Sequence, residues 1–182
     1  LRTDLWPGVI AGGSLAHAAG MIRGFVSCGY AVRSIGPEPL PGLDEREWEG
    51  PRAESASSRW KRPFAPLRYT HSVVEHVRDR PDPAPELIYA RYSLMSDAPV
   101  RLARLTGKPC VLEVNGLAEW FSHEFHGWRR LIVWPLIRKT EAAVLRGADL
   151  CVAISAAVSA QLEAAGVTKS RILTQSNGVD PD

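Results

Sequence analysis

Short apolar runs alternate with helix-length stretches along almost the whole 182-residue chain, and that alternation confines it to the βαβ class of fold with a parallel sheet. Strands are predicted at residues 1–3, 30–35, 86–91, 109–114, 150–154 and 172–175. The run at 109–114 is nearly all apolar, as a strand covered on both faces must be. Helices are predicted from Ser14 to about Cys28, near 70–80, over 97–106, over about 128–146 and over 156–165. Ser14 and Ser155 can cap their helices, because a hydroxyl accepts an otherwise unpaired first-turn N–H. Gly29, Gly107 and Gly166 close the preceding helices, a place that favours the left-handed conformation. Pro135 should kink the long helix or divide it in two. The segment from Gly36 to about Pro66 has no sustained period and reads as an irregular excursion. Its basic cluster Arg59-Trp60-Lys61-Arg62 reads as a solvated loop with one anchoring tryptophan. The fold class that follows is α/β: one doubly wound, Rossmann-like domain over 1–182, with helices on both faces of a parallel sheet.

Composition narrows the function classes. A net charge of +2 gives no global electrostatic argument for a nucleic-acid partner. Three widely spaced cysteines, Cys28, Cys110 and Cys151, suit reduced, buried thiols in a cytoplasmic protein better than a disulfide frame. The longest apolar run, residues 131–137, is far short of the roughly 20 residues that a membrane-spanning helix needs. The N-terminus carries no charged-then-apolar leader. The chain therefore reads as cytoplasmic, with peripheral contact at the inner face of the membrane left open. It starts without methionine and stops after Asn177-Gly178-Val179-Asp180 with no closing element, so both ends read as cuts in a longer protein.

Several residue groups could carry chemistry. Gly12-Gly13-Ser14 stands where a strand passes into a helix, so the backbone can approach a ligand and free N–H groups can face a phosphate; a plain turn is the other reading. The turn Ala11-Gly12-Gly13-Ser14-Leu15-Ala16 lacks the Gly-x-Gly-x-x-Gly pattern, and the second strand has no terminal acid, which argues against a nicotinamide cofactor. No cofactor is called for. Arg91 and Glu113 stand at the carboxyl ends of two predicted strands, the edge where open α/β sheets bind ligands. A partly buried ion pair between them would either pin two loops or orient a sugar hydroxyl or phosphate beside Asn115. The Asn115 amide can donate and accept but cannot act as a general base, and Gly116 permits an unusual backbone conformation or a simple turn. His17 lies in the first helix beside the glycine loop. His123 and His126 have no further ligating neighbours, so no metal site is expected there or at His71 and His76. Trp120, Phe121, Phe125, Trp128, Arg129 and Arg130 either pack under their own loop or seat the protein on an anionic bilayer.

Four stretches together resemble the N-terminal domain of family-4 (group 1) glycosyltransferases of the GT-B type. They are Gly12-Gly13-Ser14-Leu15-Ala16-His17; Pro85-Glu86-Leu87-Ile88-Tyr89-Ala90-Arg91; Gly107-Lys108-Pro109 through Glu113-Val114-Asn115-Gly116; and Ala148-Asp149-Leu150-Cys151-Val152-Ala153-Ile154-Ser155 with Asn177-Gly178-Val179-Asp180. The resemblance implies retaining transfer from a nucleotide-sugar donor to an acceptor such as a glycan or lipid-linked sugar. It also implies that this domain holds the acceptor while an absent C-terminal domain grips the nucleotide. Gly12, Gly13 and Ser14 would face the donor diphosphate with His17 nearby. Arg91, Glu113, Gly116, Asn177 and Gly178 join them as substrate-binding candidates. Asn115, where many members carry a histidine, is the catalytic candidate through a hydrogen bond to the transferred sugar. Glu141 matches a recurrent family glutamate with a structural role. A non-catalytic sugar- or nucleotide-binding module and a GT-B-type epimerase of nucleotide sugars are the alternatives on the same fold.

Overall fold

The computed structural model describes residues 1–3, 13–40, 48–51, 64–80 and 84–177. Helices α1 (Gly13–Ser27), α2 (Ala65–Arg78), α3 (Ala98–Thr106), α4 (Trp128–Gly147) and α5 (Ala156–Ala164) alternate with strands β1 (Ser34–Ile35), β2 (Trp48–Glu49), β3 (Ile88–Arg91), β4 (Cys110–Val114), β5 (Leu150–Ala153) and β6 (Ile172–Thr174). Every pairing is parallel, with β1 beside β2 and the other four in the order β3-β4-β5-β6. Leu1–Thr3 joins the two groups. Arg2 donates its N–H to Ile35 at 2.9 Å, and Arg91 donates to the Leu1 carbonyl at 3.1 Å. The chain thus runs β2-β1-(1–3)-β3-β4-β5-β6 across the sheet. Its order reverses between the first segment and β3, which makes that junction the switch point of a doubly wound fold.

Alternation along the strands divides the sheet into two faces. Ile88, Ala90, Cys110, Leu112, Val114, Cys151 and Ala153 point to one face and are buried in the main core with Val73 of α2, Leu102 of α3, Val144 of α4 and Leu162 of α5. Tyr89, Glu113 and Val152 point to the other, and α1 covers part of it. There the Phe25 ring meets Tyr89 edge-on at 5.5 Å, and His17 reaches Glu113.

Helix α4 has two tasks. Its C-terminal half puts Val144 and Leu145 into the main core. Its N-terminal half puts Val133 and Ile137 against Met95 and Ala118 in a separate cluster beneath the loops that leave β3 and β4. Pro135 neither ends nor divides this helix, against the sequence expectation. The missing N–H would have met the Leu131 carbonyl one turn earlier, on a side of the helix where Leu131 and Pro135 are exposed and water can serve that oxygen. Glu141 interrupts the inward apolar stripe and is only 4% exposed. Its carboxylate accepts from the Ala118 N–H at 2.6 Å, the Tyr92 hydroxyl at 2.8 Å and Arg138 at 3.1 Å. It ties the helix to both loops, the structural role read for it. At the far end of α4, Arg171 donates to the carbonyls of Leu145, Arg146 and Ala148.

Ser155 caps α5 by accepting the Val158 N–H at 3.3 Å, and Gly29, Gly107 and Gly166 all take positive φ. Other details differ from expectation. Strand β1 is two residues long instead of six, and β2 emerges from the segment read as irregular. Helix α2 starts at Ala65, about five residues before the expected start near 70, because Pro66 occupies its first turn, where no N–H is needed. Helix α1 begins at Gly13, which places Ser14 inside the first turn rather than before it. The basic cluster at residues 59–62 lies outside the described residues.

Cys110 and Cys151 are buried, and burial pushes both thiols up to about 11, but Cys28 follows the end of α1 and is exposed, contrary to expectation. A disulfide-exchange reagent should titrate one thiol in the native protein and all three in denaturant. Glu141→Ala leaves the Ala118 N–H and Tyr92 hydroxyl without an acceptor and should cost about 3 kcal/mol, read as a lower urea midpoint at unchanged slope. Glu141→Gln, which keeps one acceptor oxygen, should cost less.

Candidate functional site

Glu113 is the last inward-facing polar residue of β4 on the α1 side of the sheet, and it is 3% exposed. A buried carboxylate needs donors, and three side chains supply them. Tyr89 of β3 donates its hydroxyl to Oε2 at 2.8 Å, His17 of α1 meets the same oxygen through Nε2 at 3.1 Å, and Asn115 donates Nδ2 to Oε1 at 2.9 Å. Burial alone would raise the Glu113 pKa. The hydrogen bonds from Asn115 and Tyr89, together with the His17 ring, outweigh it and hold the carboxyl below its usual range. Burial first, and then the Glu113 charge, push the Tyr89 phenol far above its ordinary value, so it stays a neutral donor.

Local sequence explains each placement. Tyr89 stands two residues before Arg91 on one strand face, and the parallel register sets Arg91 opposite Glu113. Asn115 follows the last residue of β4, where the chain leaves the sheet, and its side chain folds back on the strand. Gly116 is required for space: a Cβ there would stand 2.4 Å from the Trp120 ring. The unusual backbone conformation anticipated for it is not the reason, because its φ lies outside the left-handed range. Positive φ occurs instead at Met95, in the turn after β3, where the unbranched side chain is buried against Ala118 and Ile137.

His17 and the pair Glu113 and Asn115, drawn from two stretches 96 residues apart, are brought together. Arg91 shares the strand register with Glu113, but the anticipated ion pair does not form, because the carboxylate's partners among the described residues are His17, Tyr89 and Asn115. Gly13 and Ser14 open α1, one turn before His17. Asn177 is exposed beyond the end of β6, two strands away from β4, and is not part of the cluster. Gly12 and Gly178 lie outside the described residues. Sequence reasoning passed over Tyr89 as a site residue, although strand periodicity puts it on the Arg91 face. The Ser93 hydroxyl, buried in the turn after β3 without a hydrogen-bond partner, was also unforeseen.

The geometry has a chemical consequence. Once Nε2–H is directed at Glu113, Nδ1 of a neutral His17 ring is an acceptor. Once Nδ2 is directed at Glu113, the Asn115 side chain has only Oδ1 to offer. Beyond Glu113, the Asn115 side chain keeps Oδ1 as an acceptor, and His17 keeps Nδ1, which accepts on a neutral ring and donates on a protonated one; both can meet ligand hydroxyl groups. Glu113 itself, with a depressed pKa and both oxygens engaged, is a positioning group and not a proton acceptor at neutral pH. Among the described residues there is no cluster of three or more histidine, cysteine or acidic side chains that could hold a metal ion.

Comparison with known proteins agrees with this architecture. No curated protein matches the chain. The glycosyl transferase 4-like domain family matches it over residues 12–178, a span that starts at the glycine loop and ends beyond β6. A parallel sheet in this order and a match over nearly the whole chain lead to one conclusion: the chain belongs to the glycosyl transferase 4-like domain family.

Proposed function

We propose that this domain is the acceptor-side half of a retaining glycosyltransferase that moves a sugar from a nucleotide-sugar donor to a glycan or lipid-linked acceptor in the cytoplasm. The observation that carries the reading is the cluster on the ionised Glu113, in which His17 Nδ1 and Asn115 Oδ1 are the polar atoms left for a ligand, one strand from the switch point of the sheet. Sugars present vicinal hydroxyls, which hydrogen-bonding side chains held by a shared carboxylate can hold in one orientation. Asn115 contacts the transferred sugar. The N-terminus of α1, with Gly12, Gly13 and Ser14, supplies N–H groups and a partial positive charge to the donor diphosphate. Arg91 adds a fixed cation at the same edge, and Gly116 lets Trp120 close over the loop. Asn177 and Gly178 lead towards a second Rossmann-like half that grips the nucleotide.

Two measurements test this. The 182-residue chain alone, incubated with nucleotide sugars, should show no robust transfer; efficient turnover would overturn the division between halves. In the complete polypeptide, Glu113→Gln should lower kcat/KM by about 10- to 100-fold, because an amide at 113 no longer fixes both donors. Unchanged kcat/KM would remove the cluster from the site. The charge on Glu113 also predicts a pH dependence. Its folded pKa lies below the ordinary 4.5, so the ionised group adds stability at neutral pH, which is lost as pH falls below that value and through the lower folded one. Thermal unfolding of wild type should therefore drop more steeply than that of Glu113→Gln across that acid range.

A further inference from the structure

The N-terminal half of α4 turns apolar groups in both directions. Val133 and Ile137 face inward and are buried, but Leu131 is 77% exposed and Ile132 59%, and Pro135 beside them is exposed as well. At 100° per residue, Leu131, Ile132 and Pro135 fall on one outward side, whereas half-buried Trp128 packs against the Val133 and Ile137 cluster. An outward apolar ridge gains nothing from folding and needs another explanation.

The charges around it are basic. Arg129, Arg130, Arg138 and Lys139 lie on the same helix, whose sole acidic residue, Glu141, is turned inward and buried. Arg129 sits 5.8 Å over the Trp128 ring, and Arg130 sits 5.3 Å over Trp134. At the head of the ridge, Ser122, His123, Phe125, His126, Gly127 and Arg130 line an open pocket, which among the described residues holds two imidazoles and a guanidinium. Among the described residues, Glu119 brings an opposing charge, 3.8 Å from Arg138.

We propose that this face of α4 docks on an anionic lipid bilayer, with Leu131 and Ile132 entering the acyl boundary. The lipid phosphates lie against Arg129, Arg138 and Lys139 and enter the pocket of His123, His126 and Arg130. The occupant follows from the chemistry. A ridge of leucine, isoleucine and proline bordered by long basic side chains is the pattern of a helix lying in the plane of a membrane interface. A protein partner would need acidic complements of defined shape, whereas a bilayer needs only negative charge and an apolar interior. Among the described residues no helix is long and apolar enough to cross a membrane, so the contact is peripheral. It stands independently of the transfer reaction proposed above.

Vesicle co-sedimentation tests it. The protein should pellet with phosphatidylcholine vesicles containing phosphatidylglycerol, should stay in the supernatant with phosphatidylcholine alone, and should be released by salt. The double variant Leu131→Gln/Ile132→Gln should bind the anionic vesicles about tenfold or more weakly, as expected when two buried aliphatic side chains become polar. Its thermal melting should match wild type, since both side chains are exposed in the folded protein. Absence of binding to anionic vesicles, or equal binding by the double variant, overturns the proposal. So does self-association that the double variant abolishes, which would give this face to a second copy of the chain.

Discussion

The buried carboxylate of Glu113 is the interaction on which the site depends. An ionised group removed from water is tolerated only where donors replace the lost hydration, and here each donor comes from a different element: Tyr89 from β3, His17 from α1 and Asn115 from the loop after β4. The parallel register brings the first within reach, and the crossover of α1 onto the opposite face brings the second. The contact between Phe25 and Tyr89 then holds the lower part of α1 on the same strand. A single charge thus fixes the entry helix, two strands and the exit loop around one point at the carboxyl edge of the sheet.

Helix α4 solves a different problem at that edge. Loops leaving parallel strands have no ladder to satisfy their backbone groups, so something must reach out and hold them. With 20 residues the helix is about 30 Å long, more than the sheet alone requires, and its first half overhangs the loops. There it packs Val133 and Ile137 against Met95 and Ala118. Glu141 marks the change from overhang to core, because its acceptors face the Ala118 N–H and the Tyr92 hydroxyl where the two regions meet.

The general plan was legible in the sequence because it rests on local signals. Alternating runs gave the sheet class, Gly107 and Gly166 stop their helices with positive φ, and Ser155 caps α5 as its hydroxyl allows. What escaped was non-local or depended on context. Strand β2 has two residues and exists through its pairing with β1, which no window around Trp48 reveals. Pro66, at the end of the segment read as irregular, opens a helix, and Pro135, expected to kink or divide one, lies inside it. Within the site, His17, Glu113 and Asn115 were each visible as polar residues at element ends. The partner of Glu113 was misread, because Arg91 opposite it in register is the obvious counter-charge, whereas the carboxylate is reached by neutral donors from the strand and the loop and by the His17 ring.

The two buried glutamates are held by different kinds of donor within one molecule. Each has three donors, and both stand at the same edge of the fold, so burial and hydrogen-bond satisfaction do not distinguish them. The identity of the donors does. Glu141 takes a main-chain N–H, a phenol and an arginine from its own helix, groups whose role ends once the loops are held. Glu113 takes one phenol and two side chains, His17 and Asn115, that each retain a second polar atom after meeting it. A carboxylate that served packing alone would gain as much from backbone donors. Glu113 thus leaves Asn115 Oδ1 and His17 Nδ1 beyond its own contacts, whereas Glu141 ties a helix to the two loops beneath it.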